Sequence, residues 1–176
     1  MRTFKGIGIG LISFVILFLL IGTLLSDTQT VEREVWLKAK QKDLDAIFHN
    51  PERWKDWHTQ LKDNPNVELK SAGKEKTAIL EVKASNGMYS LLKADSVGNG
   101  FFSFTTTSGK EEQGIRSLSS ISYLEEDGTV ILKFSNEYYL GNNPFYKFVG
   151  LGFDDIMGPE TEDMIDNISN LVEKKK

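Results

Sequence analysis

Apolar and polar positions fall into three patterns along the chain. Residues 7–25 are nineteen in a row without a charge, and at a helical rise of about 1.5 Å each they would reach about 28 Å, close to the hydrocarbon thickness of a bilayer. From Val31 to Ala39 the pattern alternates. Val31, Val35, Leu37 and Ala39 fall on one face and Glu32, Glu34, Trp36 and Lys38 on the other, the period-two signature of a half-buried strand. Leu44, Ile47 and Phe48 then take three/four spacing before Pro51, which predicts a short helix stopping near residue 49 or 50 and a second helical turn that carries Trp54 and Trp57. Six further strands are predicted near residues 67–71, 77–84, 88–95, 100–107, 115–125 and 129–139. Turn residues punctuate them, most strongly Asn86-Gly87 and Asp127-Gly128, dipeptides that tolerate the positive φ of tight hairpins.

The third pattern is helical and fills residues 143–176. Asn143 and Pro144 supply a cap and a first helical position. Phe145, Phe148, Val149, Phe153 and Ile156, then Met164, Ile165, Ile168, Leu171 and Val172, make a one-sided stripe that the sheet is expected to close over. Three terminal lysines complement the negative end of the helix dipole. Gly158-Pro159 is expected to bend or interrupt this helix, since an interior proline costs about 3 kcal/mol.

Charge sharpens the reading of the first segment. Arg2 and Lys5 precede the apolar run and Asp27, Glu32 and Glu34 follow it, so the positive-inside rule keeps the N-terminus cytoplasmic and places the folded domain outside, in a periplasm or at a cell surface. The run is longer than a signal peptide's usual apolar region and lacks a small-residue cleavage pair, which favours an uncleaved signal-anchor; a cleaved signal peptide stays open as the alternative. The domains are therefore a basic N-terminus (1–6), a transmembrane anchor (7–25), a short linker (26–30) and one folded domain (31–176). That linker holds the domain within roughly 15–20 Å of the bilayer. Beyond residue 25 the chain has 25 acidic against 19 basic residues, net −6, which argues against nucleic acid as a partner. The absence of cysteine excludes thiolate chemistry, cysteine metal sites and a disulfide framework.

One strand, two short helices, six antiparallel strands and a long C-terminal helix make an α+β helix-grip arrangement of about seven strands. In residues 31–39, in Trp54 and Trp57 after Pro51, and in residues 148–159 with Gly150, Gly158 and Pro159, the chain resembles the START-like (SRPBCC) superfamily. Its nearest group there is bacterial proteins labelled polyketide cyclase/dehydrase and lipid-transport-like, many with an N-terminal membrane segment. Ala39-Lys40-Gln41 departs from the Ala-Pro turn common after the first strand in that superfamily. The resemblance implies a hydrophobic cavity between the sheet and the C-terminal helix, with Phe148, Gly152 and Phe153 on the helix, Trp54 and Trp57 near a mouth, and Tyr138 offering a hydroxyl from the last strand. Each could equally be core. Gly150 and Gly152 would mark close approach or room for something else.

Chemistry is sparse. His49 and His58 are the only histidines, and no Ser-His-Asp or His-Glu-x-x-His arrangement accompanies them. His58 is the one weak candidate for a catalytic base, more often a loop or surface histidine. No metal site and no cofactor are expected. The sequence therefore points to a membrane-anchored protein that binds a lipid or other hydrophobic small molecule. One alternative is a polyketide cyclase or hydratase-type enzyme using a cavity acid/base, and another an envelope protein-interaction module.

Overall fold

The computed structural model describes residues 2–62, 67–72, 77–83, 89–109 and 115–173, with the side chains of 10–62, 91–109 and 116–173. Helix α1 (Arg2–Leu24) leads into β1 (Thr28–Leu37), then α2 (Gln41–Phe48), a 3-10 turn (Pro51–Arg53) and α3 (Trp54–Trp57). Strands β2 (Val67–Ala72), β3 (Thr77–Lys83), β4 (Tyr89–Gly98), β5 (Phe101–Gly109), β6 (Ile115–Glu126) and β7 (Thr129–Tyr139) follow, and α4 (Pro144–Gly150) and α5 (Phe153–Glu173) come last. The strands pair antiparallel in the order β1-β7-β6-β5-β4-β3-β2, so the first strand returns to lie beside the last, with Val31 opposite Asn136. Side chains are described in five of these strands, β1 and β4 to β7. The architecture is α+β, an antiparallel sheet gripping a C-terminal helix.

Local chemistry places the boundaries. Asp127 (φ 50) and Gly128 (φ 77) turn β6 into β7, the paired left-handed residues of a type I′ hairpin. Asn143 Oδ1 accepts from the Phe145 N–H at 3.0 Å with Pro144 next in line, so α4 starts as a capped helix with proline at its first position. The Asn86-Gly87 turn, the loop at 63–66 and the terminal lysines lie outside the described residues.

Two apolar clusters fill the grip. The larger joins Leu44, Phe48, Trp54 and Trp57 from the short helices to Phe102, Phe104, Ile121 and Phe134 of the sheet and Ile165 and Ile168 of α5; each such side chain, fully buried, contributes about 1.5–3 kcal/mol. The smaller joins Val31, Tyr138, Leu140 and Phe153. Between them the inward rows turn polar: Thr106, Ser119, Asn136 and Thr161 are all buried.

The C-terminal segment differs from the sequence expectation. Helix α5 runs unbroken through Pro159, and the interruption falls instead at Leu151 and Gly152, between α4 and α5. Arg33 of β1 donates from Nη1 to Asp154 Oδ1 at 2.9 Å and from Nε to Glu162 Oε1 at 2.8 Å, tying α5 to the sheet on both sides of the proline. The stripe of the first half also turns outward: Phe145 and Val149 are exposed because Lys147 and Gly150 form the inner face of α4, and Ile156 of α5 is exposed as well. Pairing of β1 reaches back to Thr28, opposite Tyr139, well into the stretch read as linker.

Candidate functional site

Three neighbouring strands change character at one level. Along β5 the inward residues run Phe102, Phe104, Thr106; along β7 they run Val130, Leu132, Phe134, Asn136, Tyr138; along β6, in the opposite direction, Tyr123, Ile121, Ser119, Ser117. The register puts Ile121 opposite Phe134, Ser119 opposite Asn136, and Ser117 opposite both Tyr138 and Thr106. A cleft opens where these rows become polar. Its far wall is the first half of α5, with Phe153, Met157, Glu160 and Met164, and His58 and Gln60 close one end; its space is about 130 Å³.

The floor is a hydrogen-bonded relay. Ser119 Oγ donates to Asn136 Oδ1, Asn136 Nδ2 donates to Thr161 Oγ1 at 3.0 Å, and the Thr161 hydroxyl donates to the Met157 carbonyl at 3.2 Å. Sheet and helix are thus joined by side chains whose polar groups satisfy each other, as burial demands. Tyr138 lies edge-on to Phe153, ring centres 4.8 Å apart. Burial, and secondarily the charge of Glu160, raises the Tyr138 pKa, so its hydroxyl stays protonated.

His58 follows directly from Trp57 at the end of α3 and is buried, contrary to the surface or loop place expected for it. Its ring packs against Trp57 and Phe104, and Nδ1 accepts the Gln60 N–H at 3.3 Å. Burial pushes its pKa down to about 3, so the imidazole is neutral. Glu160 accepts from Thr59 Oγ1 at 2.9 Å and from Gln60 Nε2 at 3.2 Å. The other end of that amide, Gln60 Oε1, is buried without a partner among the described residues. An unpaired buried acceptor costs about 1–3 kcal/mol, and a donor brought by a bound molecule would remove the cost.

Of the residues expected from sequence to form the site, the structure gathers Tyr138, Phe153 and His58 around this cleft. Trp54 and Trp57 lie in the larger core cluster; Trp54 Nε1 donates to the Phe48 carbonyl at 2.9 Å. Phe148 stacks on Phe18 of α1, centroids 4.2 Å apart. Gly152 sits in the α4–α5 turn with open space where a Cβ would stand, whereas a Cβ on Gly150 would meet Leu140 Cδ1 at 2.6 Å. His49 is away from the cleft, its Nε2 3.2 Å from the Gly98 carbonyl. Among the described residues no group of three or more His, Asp and Glu side chains converges as a metal site would.

No family model and no curated protein sequence matches the chain. Solved structures do. Norcoclaurine synthase from Thalictrum flavum, in complex with dopamine and hydroxybenzaldehyde, superposes with a TM-score of 0.61 at 20% identity, over 89% of this chain and 92% of that one. An uncharacterised protein from Rhizobium leguminosarum gives 0.57 at 17% identity, over 84% and 96%. A protein from Geobacillus kaustophilus gives 0.59 at 8% identity, over 82% and 95%. The chain shares their fold. At these identities the likeness shows the fold alone and carries no activity across.

Gln60, Thr106, Ser119 and Asn136 escaped the reading of the sequence. Their signal was present as period-two rows: Phe102-x-Phe104-x-Thr106, Ser117-x-Ser119-x-Ile121 and Phe134-x-Asn136-x-Tyr138 each switch from apolar to polar on the same face. Only the strand register shows that the three switches coincide.

Proposed function

We propose that this chain is a membrane-anchored binding protein holding a small, mainly apolar molecule with one polar, hydrogen-donating end in the cleft between α5 and β5 to β7. The observation that carries the reading is Gln60, whose Oε1 is buried with no partner among the described residues, in a cleft also lined by Phe153, Met157 and Met164. Size narrows the ligand. A cavity of about 150 Å³ takes benzene and drug-sized ligands need about 300–1,000 Å³, so a space of about 130 Å³ suits a single ring or the end of one chain of a lipid. The acid/base alternative fits less well, because a histidine with its pKa pushed down to about 3 lies far below the value that suits a general base near neutrality.

Anchoring rests on α1. Among the described residues no helix is long and apolar enough to cross a membrane, and the side chains described in α1 are those of residues 10–24. Those side chains are uncharged and mostly apolar, and Leu11, Phe14, Leu17, Leu20 and Leu24 are exposed around the helix. A helix apolar on every side belongs in an apolar medium, and the uncharged stretch in the sequence extends from residue 7 to residue 25. With Arg2 and Lys5 on the cytoplasmic side, the domain lies outside.

Native mass spectrometry of the full chain, extracted in mild detergent, tests the binding. The wild type is expected to carry a bound small molecule and Met157→Trp, which fills the cleft, to lose it. Repeated preparations with nothing bound, or equal loading of both proteins, would sink the reading.

A further inference from the structure

Helix α4 is fastened along the last turns of α1. Phe148 stacks on Phe18, and the Cβ position of Gly22 lies 2.4 Å from the Pro144 Cβ, so only glycine admits that approach. The Lys147 ammonium, the one charge of α4, is buried and donates to the Leu25 carbonyl at 3.0 Å, satisfying a carbonyl left free at the helix end. What remains facing outward from α4 and its turn is Phe145, Tyr146, Val149 and Leu151, all exposed and uncharged.

We infer that this outer face of α4 is a lipid-binding surface, seated in the outer headgroup region of the same bilayer that α1 enters. The inference rests on the anchoring reading above and adds to it a second, peripheral contact. Depth supplies the argument. Phe18 lies six residues before Leu24, or about 9 Å along the helix axis, and helices that lie in a membrane interface sink by about 5–10 Å. If lipid surrounds α1 to its end, α4 packed at the level of Phe18 and Gly22 meets the same lipid. The exposed residues of α4, like the described side chains of α1, carry no charge, and Tyr146 is an aromatic of the kind that gathers at that depth. The seating also brings the cleft to the membrane, because Tyr138 stands at the α4 end of β7 and Phe153 directly follows the turn.

The chain has no cysteine, so single nitroxide labels can be placed at will on the full protein reconstituted in phosphatidylcholine vesicles. Phe14→Cys reports α1, Tyr146→Cys and Leu151→Cys report the α4 face, and Glu126→Cys, at the opposite end of the sheet, reports water. Accessibility to oxygen and to a water-soluble nickel complex is read by electron paramagnetic resonance. The expected result is loss of nickel access at residues 14, 146 and 151 and full access at 126. Loss at residue 14 with residues 146 and 151 as wet as 126 would overturn the seating and leave the anchor standing; a wet residue 14 would overturn both. Protection of residue 146 accompanied by Tyr146→Cys disulfide dimers would assign the face to a second copy of the chain, which also overturns the proposal.

Discussion

A Cβ placed on Gly158 would stand 2.4 Å from Nη2 of Arg33. The guanidinium lies against the helix where the side chain would be, held from one side by Asp154 and from the other by Glu162. Gly158 is therefore glycine for a neighbour's sake, and the helix carries two weak formers in succession, Gly158 and Pro159, at the point where β1 supplies its brace.

This arrangement predicts a coupling. Alanine in place of glycine inside a helix is worth about 1 kcal/mol, but here that gain is opposed by displacement of the guanidinium. Gly158→Ala is expected to leave stability near neutral in the wild type and to stabilise an Arg33→Met background by about 0.5–1 kcal/mol, a non-additivity typical of touching residues. Urea midpoints of the four proteins in detergent would show it, and equal shifts in the two backgrounds would refute it. Since both carboxylates are well exposed, the cost of Arg33→Met should be at most about 1 kcal/mol and shrink in high salt.

Acid should act through His58. Its pKa in the folded chain, about 3, lies below the ordinary 6.5 because burial disfavours the charged ring, so the unfolded chain binds the extra proton. Stability is unaffected by this group above about pH 6.5 and is lost as pH falls from there toward 3, at up to about 1.4 kcal/mol per pH unit. Between pH 6.5 and 5, where most carboxylates are still ionised, the wild type should lose about 1–2 kcal/mol more than His58→Gln in denaturant titrations. Parallel pH curves for the two proteins would refute the assignment.

Two buried tryptophans should answer differently to the same change. Trp54 Nε1 satisfies the Phe48 carbonyl, one of the free carbonyls at the end of α2, while Trp57 Nε1 is buried with no partner among the described residues. Trp→Phe removes similar area at both sites, but at 54 it also orphans an acceptor and at 57 it removes an unsatisfied donor. Trp54→Phe is expected to cost about 1–2 kcal/mol more than Trp57→Phe, measured as the difference in unfolding free energy. An equal or reversed order would mean that packing alone decides.

These residues also show what a sequence can and cannot disclose. The hairpin at Asp127-Gly128, the Asn143-Pro144 cap and the alternation of β1 are local chemistry, and the structure has them where the pattern put them. Helix α5 continues through Pro159 where Arg33, more than a hundred residues away, pairs with Asp154 and Glu162, and no local rule reports such a partner. Trp54 and Trp57 read as mouth or core with equal ease until Phe102 and Phe104 close over them. His58 looked like a loop histidine because no catalytic or metal motif accompanies it in the sequence, whereas its neighbours in space are aromatic rings.

The cleft makes the last prediction, and the most discriminating one. Gln60 Oε1 can only accept, so a ring carrying a hydroxyl should bind better than the same ring without it. Because the acceptor is otherwise unpaired among the described residues, the hydrogen bond should be worth about 1–2 kcal/mol, or roughly five- to thirtyfold in affinity. 4-Methylphenol is therefore expected to bind the detergent-solubilised chain more tightly than toluene by that factor in ligand-observed NMR, and Gln60→Met should erase the preference while leaving toluene's affinity nearly unchanged. Glu160 would still accept from Thr59, so the variant should keep its fold. A preference that survives Gln60→Met would move recognition to another polar group of the cleft, with the protonated Tyr138 hydroxyl the first to examine.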